Sequence, residues 1–219
     1  MSEWWTYRLS DFLMFEPRTY YRLFERINGG LWPAPLLALA LGVALLVLAG
    51  RGRAPRATLI LLVPAWLAVA VAFHWQRYAP INFLAPWYAW ASGLEGALLL
   101  AAASGRVRWL FPGAGLPPDR VGVGLLTFAV LLQPLIGPLL DRSWQGVELF
   151  GLAPDPTALA TLGVVLALRA RWALLVIPVL LALASGATLW AMEAPDAWVT
   201  PVVAVLGVVR CSGKRRLGD

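Results

Sequence analysis

One stretch of the chain decides the fold: LWPAPLLALALGVALLVLAG, residues 31–50, a run of twenty residues without a charged side chain. An α-helix needs about 20 apolar residues to cross a hydrocarbon core about 30 Å thick. Six further apolar stretches follow, at residues 58–75, 83–103, 121–140, 157–168, 172–192 and 197–209. The sequence therefore predicts an all-α, polytopic transmembrane helix bundle of about seven spans.

The composition agrees with a membrane domain. Of the 219 residues, 60% are hydrophobic and 14% are charged, against about 45–50% and about 25% in soluble domains. Once the seven stretches lie in lipid, too little chain remains for a separate soluble core. We expect an outer, periplasmic-side segment at residues 1–30, a seven-helix domain at 31–210 and a basic cytoplasmic tail at 211–219.

Loop charges predict the orientation of the bundle, because short cytoplasmic loops carry an excess of lysine and arginine. One set of alternate connections, together with the tail, is rich in basic residues: Arg51, Arg53, Arg56, Arg106, Arg108, Arg120, Arg169, Arg171, Arg210, Lys214, Arg215 and Arg216. The other set holds only Arg77 and Arg142. This pattern places the N-terminus outside and the C-terminus inside, in a bacterial inner membrane. Lipids, not nucleic acid, are the expected partners.

The segment before the first span reads as an amphipathic helix. Pro17 is suited to a first helical position, and Asn28 followed by Gly29 can close a helix. Between them Tyr20, Leu23, Phe24 and Ile27 recur at helical spacing. Two interpretations stay open: a helix lying in the outer interface, or a helix packed on the bundle.

The fifth apolar stretch, residues 157–168, is short. It covers about 18 Å at about 1.5 Å per residue. Asp155 and Pro156 can cap and open it, so the helix is expected to start below the outer surface. Residues 147–153 would then dip inward to meet it, and non-helical backbone at that depth requires protein or a wet cavity around it.

Polar and aromatic residues concentrate at the predicted outer level. The tryptophans there are Trp32, Trp75, Trp87, Trp90, Trp144, Trp190 and Trp198. The polar residues there are His74, Gln76, Arg77, Asn82, Asp141, Arg142, Glu148, Asp155 and Asp196. One interpretation is an outward-facing, aromatic-walled pocket, and the other is an ordinary interfacial belt with tight turns. The ligand-binding candidates are His74, Arg77, Gln133, Glu148, Asp155, Trp75 and Trp190.

Glu95 is the one acid in the interior of a predicted span. A charge there costs at least about 2.5 kcal/mol, so such residues usually face a partner or water. The hypotheses are a proton or cation site, or a protonated glutamate that bonds a neighbouring helix. Its candidate partners are Thr127, Gln133, Ser185 and Thr188.

Several chemistries are excluded by residue content. A single histidine and a single cysteine, Cys211, cannot supply bis-histidine haem ligation, a two-histidine metal site or an intramolecular disulfide. The only lysine, Lys214, lies in the tail, so no Schiff base can form inside the bundle. There is no P-loop, GxSxG or HExxH motif, and Gly122 and Gly124 are interpreted as packing residues. We predict no catalytic residue, metal or cofactor, and a bound lipid is left open.

Several short segments resemble a bacterial family of small multi-span membrane proteins known only as a domain of unknown function. They include DFLMF (11–15), PRTYYRLF (17–24), FHWQRYAPIN (73–82), QPLIG (133–137), ELFG (148–151) and PDPT (154–157). The resemblance covers most of the chain and implies the architecture but no activity. Asp155 and Ile27 stand where cysteine and tyrosine are usual in similar proteins, so thiol chemistry is not expected in this chain.

Function is left with three hypotheses. The first is a binding or transport protein with an outward-facing site built from His74, Arg77, Glu148 and Asp155. The second is an accessory or assembly subunit of a larger membrane complex, and the third is an intramembrane enzyme. A transporter should line a continuous path with polar residues, whereas a subunit should not.

Overall fold

The computed structural model describes residues 15–52, 54–107, 109 and 117–213, and it contains eight helices and no named strand within them. The helices are α1 (Pro17–Gly30), α2 (Ala34–Arg51), α3 (Pro55–Tyr78), α4 (Ala85–Ser104), α5 (Arg120–Leu139), α6 (Pro154–Ala167), α7 (Trp172–Ala191) and α8 (Val199–Gly213). The predicted all-α class is confirmed.

Helices α2 to α8 coincide with the seven predicted apolar stretches, with each boundary within about one helical turn of its prediction. By length and composition, four of them are able to cross a membrane: α2, α3, α5 and α7. The chain is therefore a multi-helix protein with several potential membrane spans.

Two helices widen into π-helical turns. In α3 the last ten residues, Val69–Tyr78, are wound this way, and in α5 the turn is Phe128–Leu132. The α5 turn directly precedes Pro134, which has no N–H to donate to an earlier carbonyl. The amide of Gln133 accordingly donates to the carbonyl of Phe128, five residues back. Wide turns of this kind often occur at functional sites.

Helix α6 lies at the centre of the bundle, and all 14 of its residues are buried. A helix that is apolar on every side is stable only when it is surrounded, and α6 contacts α2, α3, α5, α7 and α8. As the sequence predicts, it begins after a non-helical segment.

The predicted cap of α6 is wrong. Ala153 occupies the cap position and Pro154 the first helical position, where the missing proline N–H would have no intrahelical partner anyway. The hydroxyl of Thr157 ties the entry together, donating to the carbonyl of Ala153 (2.7 Å) and accepting from the amide of Gly151 (2.8 Å). Asp155 is thereby left with its side chain available for tertiary contacts.

Helix α1 packs its apolar face on one end of the bundle, which we call the α1 end. The Phe24 ring stacks on Phe73 with centroids 5.2 Å apart, and Tyr20 meets Tyr78 at 5.7 Å. The side-chain amide of Asn28 donates to the carbonyls of Gln145 (2.8 Å) and Val147 (2.9 Å). The predicted helix is present, and its apolar stripe lies against protein. Residues 1–14 lie outside the described residues.

The opposite end of the bundle, which we call the basic end, gathers the arginine-rich connections. Gly52 lies against Pro118, the amide of Asp119 donates to the carbonyl of Ala167 (3.1 Å), and Arg171 donates to the carbonyl of Trp109 (3.2 Å). The described arginines at this end are Arg51, Arg56, Arg106, Arg120, Arg169, Arg171 and Arg210. Arg53, Arg108, Lys214, Arg215 and Arg216 lie outside the described residues.

Candidate functional site

A narrow cleft at the α1 end is lined by four charged side chains. We call it the acidic pocket, and its polar lining is Gln133, Arg142, Glu148, Asp155, Asp196 and Thr200. It admits the centre of a water molecule over about 20 Å³, which is room for about one or two waters. An occupant must therefore be very small unless the cleft opens.

Four separate parts of the chain build the pocket. Gln133 follows the wide turn of α5, and Arg142 and Glu148 lie in the α5–α6 connection. Asp155 stands in the first turn of α6, and Asp196 with Thr200 lies at the start of α8. The α5–α6 connection is held in place by Asn28 of α1, because its side-chain amide donates to two carbonyls, those of Gln145 and Val147, just before Glu148.

The charges in the pocket are unequal. Arg142 forms an ion pair with Asp196, and its guanidinium carbon also lies 4.5 Å from the centroid of the Tyr21 ring, as in a cation–π contact. Asp155 accepts a hydrogen bond from the hydroxyl of Thr200 at 2.9 Å. Among the described residues that line the pocket, three are acids and one is a base.

Three acceptor atoms of the pocket are buried without a hydrogen-bond partner among the described residues: Gln133 Oε1, Asp155 Oδ1 and Asp196 Oδ1. Buried polar atoms in folded proteins are nearly always hydrogen-bonded. The pocket therefore offers unpaired oxygens to a donor or a cation. No three His, Cys, Asp or Glu side chains in the described ranges are grouped so as to hold a metal ion.

The electrostatics favour one bound proton. Burial raises the pKa of Glu148 to about 8, with a further rise from the charge of Asp155 and a partial offset from Arg142. At neutral pH this carboxyl mostly holds its proton. A cation entering the pocket would displace it.

The structure brings together three of the predicted candidates, Gln133, Glu148 and Asp155, and separates the others from them. Arg77 turns back on its own helix and donates to the carbonyl of Ala72 at 2.8 Å. Its guanidinium is thus held by the π-helical part of α3 and does not line the acidic pocket. The expectation that Arg77 reaches Glu148 is wrong.

His74 lies in a second cavity at the same end. We call it the aromatic cavity, and it is lined by Tyr20, Phe73, His74, Tyr78, Tyr88, Pro154, Leu181, Ala184, Ser185 and Thr188. The expected meeting of His74 with Glu148 is therefore not found. Pro154 and Asp155 are consecutive on α6 and point about 100° apart, so the start of this helix separates the two cavities.

The tryptophan candidates line neither cavity. Trp75 and Trp190 are 54% and 49% exposed, and the Trp190 ring packs on Trp198 with centroids 4.0 Å apart. The predicted tryptophan wall is corrected to one of tyrosine and phenylalanine. Both tryptophans thus lie on the outer surface of the bundle at the α1 end.

The sequence does not predict Arg142, Asp196 and Thr200 as site residues. Arg142 and Asp196 do carry a signal, since they are opposite charges in connections that the loop pattern places on one side. Thr200 carries none, because a threonine near a helix start is common in any fold.

Glu95 on α4 is fully buried, and neither carboxyl oxygen has a hydrogen-bond partner among the described residues. The proposed partners Thr127 and Thr188 instead donate to carbonyls of their own helices, those of Val123 (2.9 Å) and Ala184 (3.0 Å). Gln133 and Ser185 line the two cavities at the α1 end. The interhelical bond expected of Glu95 is not formed, and the proton or cation hypothesis stays a prediction.

We predict that Glu95→Met raises the stability of the protein. The carboxyl is removed from water without a compensating hydrogen bond, which costs about 1–3 kcal/mol, whereas methionine fills similar space at no such cost. Glu95→Gln should give no gain, because its amide would be equally unpartnered. Thermal unfolding of the detergent-solubilised variants, followed by tryptophan fluorescence, measures this. A methionine variant that melts below the parent would show that the carboxyl holds a partner.

Comparison with known proteins gives one match. Residues 18–218 match the family described as a family of unknown function, DUF6064, and the chain belongs to that family. No curated protein and no solved structure matches it. The family assignment covers nearly the whole chain and names no activity.

Proposed function

We propose that this member of the DUF6064 family is a membrane-embedded protein that binds a small, positively charged solute in the acidic pocket. The observation that carries the proposal is the charge of the pocket: Glu148, Asp155 and Asp196 face one another across a cleft with a single guanidinium. Arg142 is already paired with Asp196. Two carboxyls therefore remain for a cation or a proton.

We place the pocket on the outer face of a bacterial inner membrane. Support comes from the basic end of the bundle, because basic loops remain on the cytoplasmic side. In this arrangement α2 to α8 provide seven spans, with the N-terminus outside and the C-terminus inside. The acidic pocket then faces the periplasm, and a solute can enter it from that side.

Binding is favoured over transport by what lies below the pocket. From Leu162 to Ala167, α6 presents only apolar or glycine residues, and all of them are buried. Within the described residues, no polar path leads from the pocket along α6 to the basic end. The same observation keeps the accessory-subunit alternative open, with the bound cation then acting as a signal or a structural element.

The test is a titration of the purified full-length protein in detergent with NaCl, KCl or NH4Cl, with N-methyl-D-glucamine chloride added to hold ionic strength constant. The melting temperature reports binding. Each cation must displace the proton of Glu148. The apparent Kd should therefore fall about tenfold for each pH unit by which the pH is raised toward 8, and it should be constant above pH 8.

The matched variants are Glu148→Gln, which removes the titrating group, and Glu193→Gln, which changes an exposed acid at the same end. The first should remove the pH dependence near pH 8 and weaken binding by about tenfold or more, and the second should change neither. A parent protein that melts identically in all four salts at pH 9 would refute cation binding in the acidic pocket.

A further inference from the structure

Five of the ten described residues that line the aromatic cavity carry aromatic rings. His74 lies edge-to-face with Phe73 and Tyr88, with centroids 5.2 and 5.7 Å apart. Tyr20 and Tyr78 complete the cluster at 5.7 Å from one another. The space admits the centre of a water molecule over about 20 Å³. A ring cluster of this kind attracts cations to its faces.

His74 gives the cavity its polar centre. Its side chain is 97% buried, since 3% of it is exposed, and neither ring nitrogen has a hydrogen-bond partner among the described residues. A neutral imidazole carries one nitrogen lone pair and one N–H. Leaving both unbonded in an apolar surrounding is costly, so a residue held this way points to a bonded occupant. The hydroxyls of Ser185 and Thr188 lie on the same wall.

The potential of the cavity favours a positive occupant. Among the described residues no arginine or lysine lines it, whereas Asp155 lies directly behind Pro154. Burial and the charge of Asp155 both raise the pKa of the Tyr20 phenol. The same field that disfavours a phenolate at Tyr20 stabilises a cation beside it.

From this geometry we propose that the aromatic cavity is a second binding site, specific for a small monovalent cation that donates hydrogen bonds: the ammonium ion or a short protonated amine. Ring faces bind its charge, and the lone pairs of His74, Ser185 and Thr188 accept its N–H groups. Its size excludes quaternary ammonium groups. Potassium has a similar size but no hydrogen to donate, so it should bind more weakly.

The aromatic cavity has its own polar centre, His74, and it shares with the acidic pocket the charge of Asp155. The two cavities share no lining residue among those described, and they lie on opposite sides of the start of α6. A failure of the acidic pocket to bind cations would leave the aromatic cavity untouched. The two proposals are therefore separable by variants of one cavity at a time.

The test is isothermal titration calorimetry of the full-length protein in detergent at pH 7, with ammonium, methylammonium, tetramethylammonium, potassium and sodium chlorides as the probes. We expect ammonium and methylammonium to bind at least tenfold more tightly than potassium and sodium, with no binding of tetramethylammonium to this site. His74→Phe preserves a buried ring but removes both nitrogens, and it should abolish the preference for ammonium over potassium.

Three further variants make the result decisive. Tyr88→Leu removes one ring face and should weaken ammonium binding by about tenfold, which keeps the proposal testable if His74→Phe fails to fold. Trp75→Phe, at an exposed neighbour of His74, should bind like the parent. Glu148→Gln should keep the ammonium preference even where it loses pH-dependent binding. Equal affinities for ammonium and potassium in the parent, or an undiminished ammonium preference in His74→Phe, would overturn the proposal.

Discussion

Gly122→Ala should destabilise the protein by about 2 kcal/mol or more, although it adds a single methyl group. A Cβ at this position would lie 2.3 Å from the amide nitrogen of Ala167 and 2.7 Å from the carbonyl oxygen of Gly163. These are backbone atoms of α6, so no side-chain rotation can relieve the overlap. The central helix would have to move away from α5 along much of its length.

The same helix supplies the control. A Cβ at Gly124 would meet no atom within 4 Å, and alanine is favoured over glycine inside a helix by about 0.5–1 kcal/mol. Gly124→Ala should therefore melt at the same temperature as the parent or slightly above it. The measurement is thermal unfolding in detergent, with the two variants compared side by side. Equal melting temperatures for both would mean that α5 and α6 are not in backbone contact.

This pair of glycines shows where sequence reasoning stops. The sequence predicts a packing role for both, and only Gly122 has one. Small residues allow helices to approach in membranes, but the sequence does not say which side of α5 faces α6. That depends on rotation about the helix axis, which is fixed by all the neighbours together.

The helices themselves could be predicted because one local property fixes them. A run of apolar residues long enough to cross a bilayer must satisfy its backbone internally, and a helix does so. The short α6 was also predictable, since Pro154, Pro156 and residues 157–168 leave about 18 Å of helix. The whole-helix burial of α6 follows from its apolar residues, which from Ala158 to Ala167 are interrupted only by Thr161 and Gly163.

The sequence could predict at which end of the bundle the candidate site residues lie, but not in which direction their side chains point. Gln133, Glu148 and Asp155 lie near one end of the bundle because their segments end there, and the structure does group them. His74 lies at the same level but is turned to the other side of α6. The wide turns of α3 shift the angle at which each later residue points, and no periodicity in the sequence signals such a turn.

Asp196→Asn is expected to cost about 3–5 kcal/mol, because it leaves Arg142 charged and without its partner in a largely buried position. The two side chains are 18% and 11% exposed, so water can compensate only in part. Asp141→Asn, at an exposed acid next to Arg142, is the matched control and should change the melting temperature little. A loss in Asp141→Asn equal to that in Asp196→Asn would show that the ion pair has no special weight.

The double variant Arg142→Met/Asp196→Leu separates the structural role of the pair from its role in binding. Replacing both partners of a buried pair by apolar residues is often neutral or stabilising, so the double variant should recover most of the stability that Asp196→Asn loses. The affinity for a cation, in contrast to the stability, should depend on the net charge of the acidic pocket. Asp196→Asn makes the acidic pocket more positive and should weaken binding, Arg142→Met makes it more negative and should strengthen binding, and the double variant restores the original sum. If all three variants changed affinity in the same direction, the pocket would not bind its ligand by charge, and cation binding there would have to be abandoned.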